Sequence, residues 1–166
     1  MNFDEAFDRL MVHEGGFVED ENDPGGATKW GVTDAVARAW GYTGLMTEFT
    51  LIEAKAIYEK QYWNPLRALE LPAALRYPVF DAAVNSGVRQ AVRWLQRVLG
   101  VEDDGDLGPV TIKACWEQHP AVIVAAFIGH RMDMQTDLKN WPHHGKGWTR
   151  RNAKILKALK EDIIES

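Results

Sequence analysis

Apolar residues Phe3, Phe7, Leu10 and Met11 recur at i, i+4, i+7 and i+8, while Asp4, Glu5, Asp8 and Arg9 fall outside that stripe. The spacing predicts an amphipathic helix. Asn2 is a candidate N-cap with Glu5 three positions on, and Gly15-Gly16 supply a stop, so the helix is expected over residues 3–14. From Gly15 to Thr33 the chain carries five glycines, one proline and a cluster of acids with no period, which predicts an irregular or short hairpin loop. Thr33 then caps a helix that Gly41 ends, and Thr50 with Glu53 opens another that closes by Pro65. Tyr77 to Asn85 reads as a short apolar helix.

The clearest period in the second half is Val88, Ala91, Val92, Leu95, Val98 and Leu99, which predicts a helix ended by Gly100. Pro109 and Pro120 each suit the first turn of a further helix, the second carrying Ile123, Phe127, Met134 and Leu138. A loop is expected from Trp141 to Gly147, holding His143 and His144. A last helix is then expected from Thr149 to Ile164, with Ile155, Leu159 and Ile163 inward. The expected fold class is mainly α: a helical, two-lobed single globule with one irregular or β-hairpin loop.

Composition narrows the function classes. A chain of 166 residues that is 46% hydrophobic and 26% charged suits one globular unit and excludes collagen-like or disordered readings. The longest apolar run, Ala121 to Gly129, is too short to span a bilayer, so no stable membrane association is expected. Nineteen basic against 24 acidic residues give a net charge of −5, which disfavours nucleic acid as a partner. Cys115 is alone, so neither an intramolecular disulfide nor a Cys-rich zinc site can form. His13-Glu14 runs into Gly-Gly-Phe without the second histidine of a zinc helix, so neither metal nor other cofactor is expected. The acidic start of the chain resembles no classical export signal. A monomer made in the cytoplasm is expected.

Glu14 follows Phe3 by eleven, Phe7 by seven and Leu10 by four positions, which places it on the buried stripe of its helix. Desolvation and the negative end of the helix dipole both push such a carboxyl upward in pKa, toward the protonated form a general acid needs. Gly15 and Gly16 would let a bulky polymer approach it closely. The competing reading is a glutamate paired to an arginine at a helix end. Nine residues on stands Asp23, followed by Pro24-Gly25-Gly26, Thr28, Gly31 and Thr33. Two carboxyls flanking a cleft are the requirement of glycoside hydrolysis.

The stretch His13-Glu14-Gly15-Gly16-Phe17 through Asn22-Asp23-Pro24-Gly25-Gly26-Ala27-Thr28-Lys29-Trp30-Gly31-Val32-Thr33 closely resembles the opening signature of glycoside hydrolase family 108, the N-acetylmuramidases of phage endolysins and bacterial lysis or secretion activators. The resemblance implies a lysozyme-like α+β fold and bacterial peptidoglycan as the partner. It further implies cleavage of the β-1,4 bond between N-acetylmuramic acid and N-acetylglucosamine, with Glu14 as catalytic acid. By analogy with phage-type lysozymes, Asp23 and Thr28 would hold the attacking water; Glu19, Asp20 and Glu21 are rival carboxylates. Gly15, Gly16 and Phe17 would line the substrate cleft, with Phe17 standing where the family commonly has tyrosine. A lytic transglycosylase on the same bond and a non-catalytic wall-binding or secretion-regulating module are the competing readings.

The second half carries the same resemblance. Phe80-Asp81-Ala82-Ala83-Val84-Asn85-Ser86-Gly87 is similar to the family's second segment, which makes Asn85 a candidate substrate-binding residue. Asp104-Gly105-Asp106-Leu107-Gly108-Pro109-Val110-Thr111 looks like the turn of helical peptidoglycan-binding modules, although turn chemistry alone explains most of it. The implied division is 1–75 as a catalytic lobe and 76–166 as a peptidoglycan-binding-like lobe packed on it. Among the seven tryptophans, Trp30 is the candidate sugar-stacking ring, whereas Trp63, Trp94 and Trp116 are expected in the core. Arg150 or Arg151, after Trp148, could pair with Glu14 or with a muramyl carboxylate.

Overall fold

The computed structural model describes residues 1–12 and 27–164. In these, α1 (Phe3–Met11) is followed by a hairpin of β1 (Thr28–Lys29) and β2 (Val32–Thr33). Then come α2 (Asp34–Trp40), α3 (Leu51–Tyr58), a π-helical turn (Glu59–Trp63) and a 3₁₀ turn (Ala68–Glu70). The second half is α4 (Ala73–Ser86), α5 (Val88–Leu99), α6 (Pro109–Glu117), α7 (Pro120–Thr136) and α8 (Trp141–Ile164). The fold is mainly α, as expected, with the two-stranded antiparallel hairpin as its sheet among the described residues.

Helix starts follow the local chemistry of the sequence. The Asn2 side chain accepts the Glu5 N–H at 3.0 Å while the Asn2 N–H donates to the Glu5 carboxylate at 2.7 Å, and Thr50 and Glu53 repeat this reciprocal cap on α3. Thr33 caps α2, and Gly41 and Gly100 close α2 and α5 in the left-handed region, at φ 100° and 72°. Helix α1 ends at Met11 with Val12 as its C-cap, so the expected reach to Glu14 lies outside the described residues.

The core gathers on α4. Phe3 of α1 and Phe80 of α4 meet across Trp63 of the π turn, with ring centroids 5.6 Å (Phe3–Trp63) and 5.4 Å (Trp63–Phe80) apart. Tilted and edge-to-face aromatic packing of this kind adds to the burial itself. Helices α5, α7 and α8 cover the other sides of α4. It begins at Ala73, earlier than the expected Tyr77, with Pro72 as N-cap and Pro78 inside the helix. Burial on nearly every face leaves no period to read, and Pro78, which lacks an N–H, gives a false starting point. The expected lobe division at 75/76 falls within this helix.

Three further expectations are corrected. The segment Trp141 to Gly147 is not a loop but the first two turns of α8, so His143 and His144 are helical. The Asn140 carbonyl accepts the N–H groups of both His143 and His144 at 3.1 Å. Gly145 lies so close under the Trp141 indole that a Cβ there would stand 2.6 Å from the ring, so this glycine serves packing and not chain reversal. Trp116 is 62% exposed, with its indole N–H donating to the Glu70 carbonyl, whereas Trp63 and Trp94 are buried as expected. Leu138 lies beyond the end of α7 and is exposed.

Candidate active site

Of the sequence-derived site residues, Glu14, Gly15, Gly16, Phe17 and Asp23 lie outside the described residues; Thr28, Trp30 and Asn85 lie within them. Thr28 opens β1 and is paired with Thr33, the cap of α2, so the hairpin is joined directly to a helix start. The Asp34 N–H donates to the Ala27 carbonyl at 2.9 Å, tying the start of the hairpin to the first residue of α2.

Trp30 and Gly31 form the hairpin's two-residue tip, both at positive φ, 54° and 74°. Such tips favour Asn-Gly or Gly-Gly, because a side chain in the left-handed region is strained. The tryptophan is nevertheless held there from two sides. Its indole N–H donates to the Phe49 carbonyl at 3.2 Å, and the Tyr58 hydroxyl donates to its carbonyl at 3.2 Å. Strain of this sort persists where the surroundings over-determine the geometry, and it concentrates at ligand sites. The ring is half-buried and packs on the core, so its orientation is fixed.

Asn85 is exposed at the last turn of α4, its amide N–H donating to the Asp81 carbonyl at 2.7 Å. With His143, His144, Gly147, Trp148, Arg150, Arg151 and Lys154 of α8 it lines a hollow of about 420 Å³. These α8 positions follow helical spacing and share one face of the helix.

Beneath these surfaces lies a polar network that sequence reading missed. Asp81 is fully buried and takes an ion pair on each oxygen: Arg131 on Oδ2 at 2.6 Å and Arg151 on Oδ1 at 2.7 Å. Of the two arginines the sequence singled out after Trp148, Arg151 is held on Asp81, while the expected pairing with Glu14 falls on a residue outside those described. Nearby, Arg9 in the last turn of α1 reaches Asp162 of α8 at 2.8 Å and lies over the Tyr77 ring at 4.8 Å. Burial, then the Asp81 charge, drives the Tyr77 phenol well above its ordinary pKa, so it stays protonated. These contacts anchor the end of α1, from which the chain enters the Glu14 stretch, to α4 and α8. The available signal was an acid inside an apolar helix and an arginine inside an apolar run, each needing a partner once buried.

The Asp104–Thr111 stretch is organised from within. The Gln96 amide donates to Asp104 Oδ1 at 2.7 Å, the Asp106 carbonyl at 3.0 Å and Thr111 Oγ1 at 3.1 Å, while its oxygen accepts the Gly105 N–H at 2.8 Å. This is the arrangement of a structural turn. No group of three His, Cys, Asp or Glu side chains among the described residues is placed to hold a metal ion, and no described helix is long and apolar enough to cross a membrane.

Residues 7–87 match the family model described as Glycosyl hydrolase 108, and residues 90–154 match one described as Predicted Peptidoglycan domain. The solved structure of Brucella abortus SagA is similar, with a TM-score of 0.86 and 32% sequence identity over 97% of this chain and 95% of that one. No curated protein matches. The chain therefore belongs to the glycosyl hydrolase 108 family and is a peptidoglycan hydrolase of the lysozyme/muramidase type.

Proposed function

We propose that this protein is an N-acetylmuramidase that hydrolyses the β-1,4 bond between N-acetylmuramic acid and N-acetylglucosamine, with Glu14 as general acid. The observation that carries the reading is the Glycosyl hydrolase 108 match over residues 7–87, which encloses the whole stretch from Glu14 to Thr33. Glu14 protonates the glycosidic oxygen as the bond breaks. Asp23, supported by Thr28, holds water on the opposite face of the sugar, and its attack inverts the anomeric carbon. The anchored hairpin supports this role, because a water-positioning hydroxyl must itself be held in place. Trp30 offers the apolar faces of the sugar rings a fixed platform.

The experiment is digestion of purified walls with the wild-type chain and with Glu14→Gln, followed by mass spectrometry and by NMR of the first product. Reducing N-acetylmuramic acid ends in the α configuration are expected, with activity of the variant lower by ~10²–10⁴-fold and an unchanged circular dichroism spectrum. Anhydro sugars, reducing N-acetylglucosamine ends or a variant keeping more than about a tenth of the activity would overturn the assignment.

A further inference from the structure

Trp116 stands in the last turn of α6 with 62% of its surface exposed, and its indole N–H donates to the Glu70 carbonyl at 2.9 Å. That bond uses the one polar group of the side chain. What remains in the open is an apolar ring held in one orientation. Beside it lies a hollow of about 520 Å³. Pro72, Ala73 and Pro120 give the hollow apolar walls, and Arg76 and Gln118 bring hydrogen-bonding groups to it. The Arg76 guanidinium is fixed by three carbonyls: Nε donates to Leu71 at 3.0 Å, Nη1 to Met1 at 2.8 Å and Nη2 to Leu69 at 3.2 Å. Those bonds use three of its five N–H groups and bring it no carboxylate, so two donors and its charge are left. The hollow is a seam between the two matched segments: Pro72, Ala73 and Arg76 fall within 7–87, and Trp116, Gln118 and Pro120 within 90–154. Its described lining shares no residue with the Thr28–Thr33 hairpin or with the hollow between α4 and α8.

We propose that this seam is a second, non-catalytic site for the wall glycan, taking one N-acetylated hexosamine unit. An N-acetylhexosamine presents an apolar ring face bordered by polar substituents, and a fixed indole beside hydrogen-bond donors is its complement. The ring face lies on Trp116. The acetamido group enters the hollow, where its methyl meets the proline walls and its carbonyl oxygen accepts from Arg76 or Gln118. A hollow of this volume suits a compact ligand, whereas a docked peptide helix or strand needs a longer groove. The inference rests on the muramidase reading for the identity of the polymer and adds a contact apart from the bond that is cut. A second contact on one strand raises the effective concentration of that strand at the cleft.

The test uses the full chain, isotope-labelled, titrated with tri-N-acetylchitotriose while the tryptophan indole N–H signals are followed by NMR. The Trp116 signal, assigned by its loss in Trp116→Phe, should shift saturably. Co-sedimentation in the cold with purified sacculi then compares the wild type, Trp116→Ala, Trp116→Phe and Ile52→Ala, the last removing an exposed apolar side chain of α3. Trp116→Ala should bind about fivefold more weakly, Trp116→Phe should keep most of the affinity because a ring face remains, and Ile52→Ala should match the wild type. Wall lysis by Trp116→Ala should fall at low wall concentration and equal the wild type at saturation, as expected of a site that binds without reacting. Stripping the stem peptides with an amidase should leave the fivefold difference in place, and a thermal melt confirms that each variant is folded.

A Trp116 signal that the sugar does not move, an equal loss in Ile52→Ala, or a difference that vanishes on stripping would overturn the site, the last by giving the contact to the stem peptide. A concentration-dependent dimer that Trp116→Ala abolishes, with wall binding unchanged, would assign this face to a second copy of the chain and overturn it as well. Failure of the muramidase reading shows separately, as product ends other than reducing muramic acid from a protein whose Trp116 signal still responds to the sugar.

Discussion

Arg131 of α7 and Asp81 of α4 form an ion pair at 2.6 Å in which neither side chain exceeds 2% exposure, and Arg151 of α8 closes on the second oxygen of the same carboxylate. Three helices thus converge on one buried charge. Removing one partner of such a group leaves an uncompensated charge in a poorly solvated interior, which costs about 3–5 kcal/mol. Asp81→Ala should therefore lower the unfolding free energy by about that amount in urea titrations, because two arginines lose their carboxylate together. A loss below about 1 kcal/mol would show that water replaces the carboxylate and that the network contributes little.

The two glycines near the start of α8 should respond to alanine with opposite signs. Gly147→Ala gains helix propensity and meets no neighbour, so it should stabilise by about 0.5–1 kcal/mol. Gly145→Ala drives its methyl group to within 2.6 Å of the Trp141 ring, which packs at a tilt against Trp148. Displacing the ring should cost about 1–3 kcal/mol despite the same gain in propensity. Thermal unfolding of the two variants checks the pair, and equal shifts would mean that Trp141 moves aside freely.

Gln96 should be the residue on which the Asp104–Thr111 turn depends. Gln96→Leu keeps the volume but leaves the Gly105 N–H and the Thr111 hydroxyl without their partner, at about 1–3 kcal/mol. The turn also predicts a pH response. The Asp106 N–H, followed by the Gln96 amide, holds the Asp104 carboxyl below its ordinary value of 3.8. Arg97 does the same for Asp103. A lowered folded-state pKa adds stability above the unfolded value and loses it as the pH falls through the folded one. Wild-type stability should thus decline below about pH 4, and the Gln96→Leu protein should show a shallower decline in the same titration.

What the sequence made legible follows burial geometry. Helix α5 was readable because one face is buried and the other wet, so Ala91, Val92, Leu95 and Leu99 keep the helical period. Helix α4 is buried on nearly every side, and its start was misplaced for the same reason. The beginning of α8 was hidden because glycine signals chain reversal in sequence terms, while Gly145 is there to admit an indole. In the site, the link from hairpin to α2 was readable through Thr33, since a cap is local chemistry. The Asp81 pairs with Arg131 and Arg151 were not, because their partners stand 50 and 70 positions apart and no short-range pattern connects them.

Residues 1–87, although they contain the whole Glycosyl hydrolase 108 match, should not fold into an active unit on their own. Helix α4 ends at Ser86, and its surface is shared with α5, α7 and α8, all of which lie beyond that cut. The fragment would keep Phe3, Phe7, Trp63 and Phe80 in one cluster while exposing the sides of α4 that those helices cover. It would also strand Asp81, whose two arginines come from α7 and α8, and Arg9, whose partner Asp162 is on α8. A domain of that length has a marginal core even when its apolar face is closed. The fragment should therefore show no cooperative thermal transition and no wall lysis, whereas the full chain shows both. Adding residues 88–166 as a separate polypeptide should restore a transition if the two pieces find each other, because the missing contacts are packing and charge pairs rather than a covalent link. A fragment that melts cooperatively and lyses walls unaided would show that the Asp81 network and the helices around α4 are dispensable for the catalytic half.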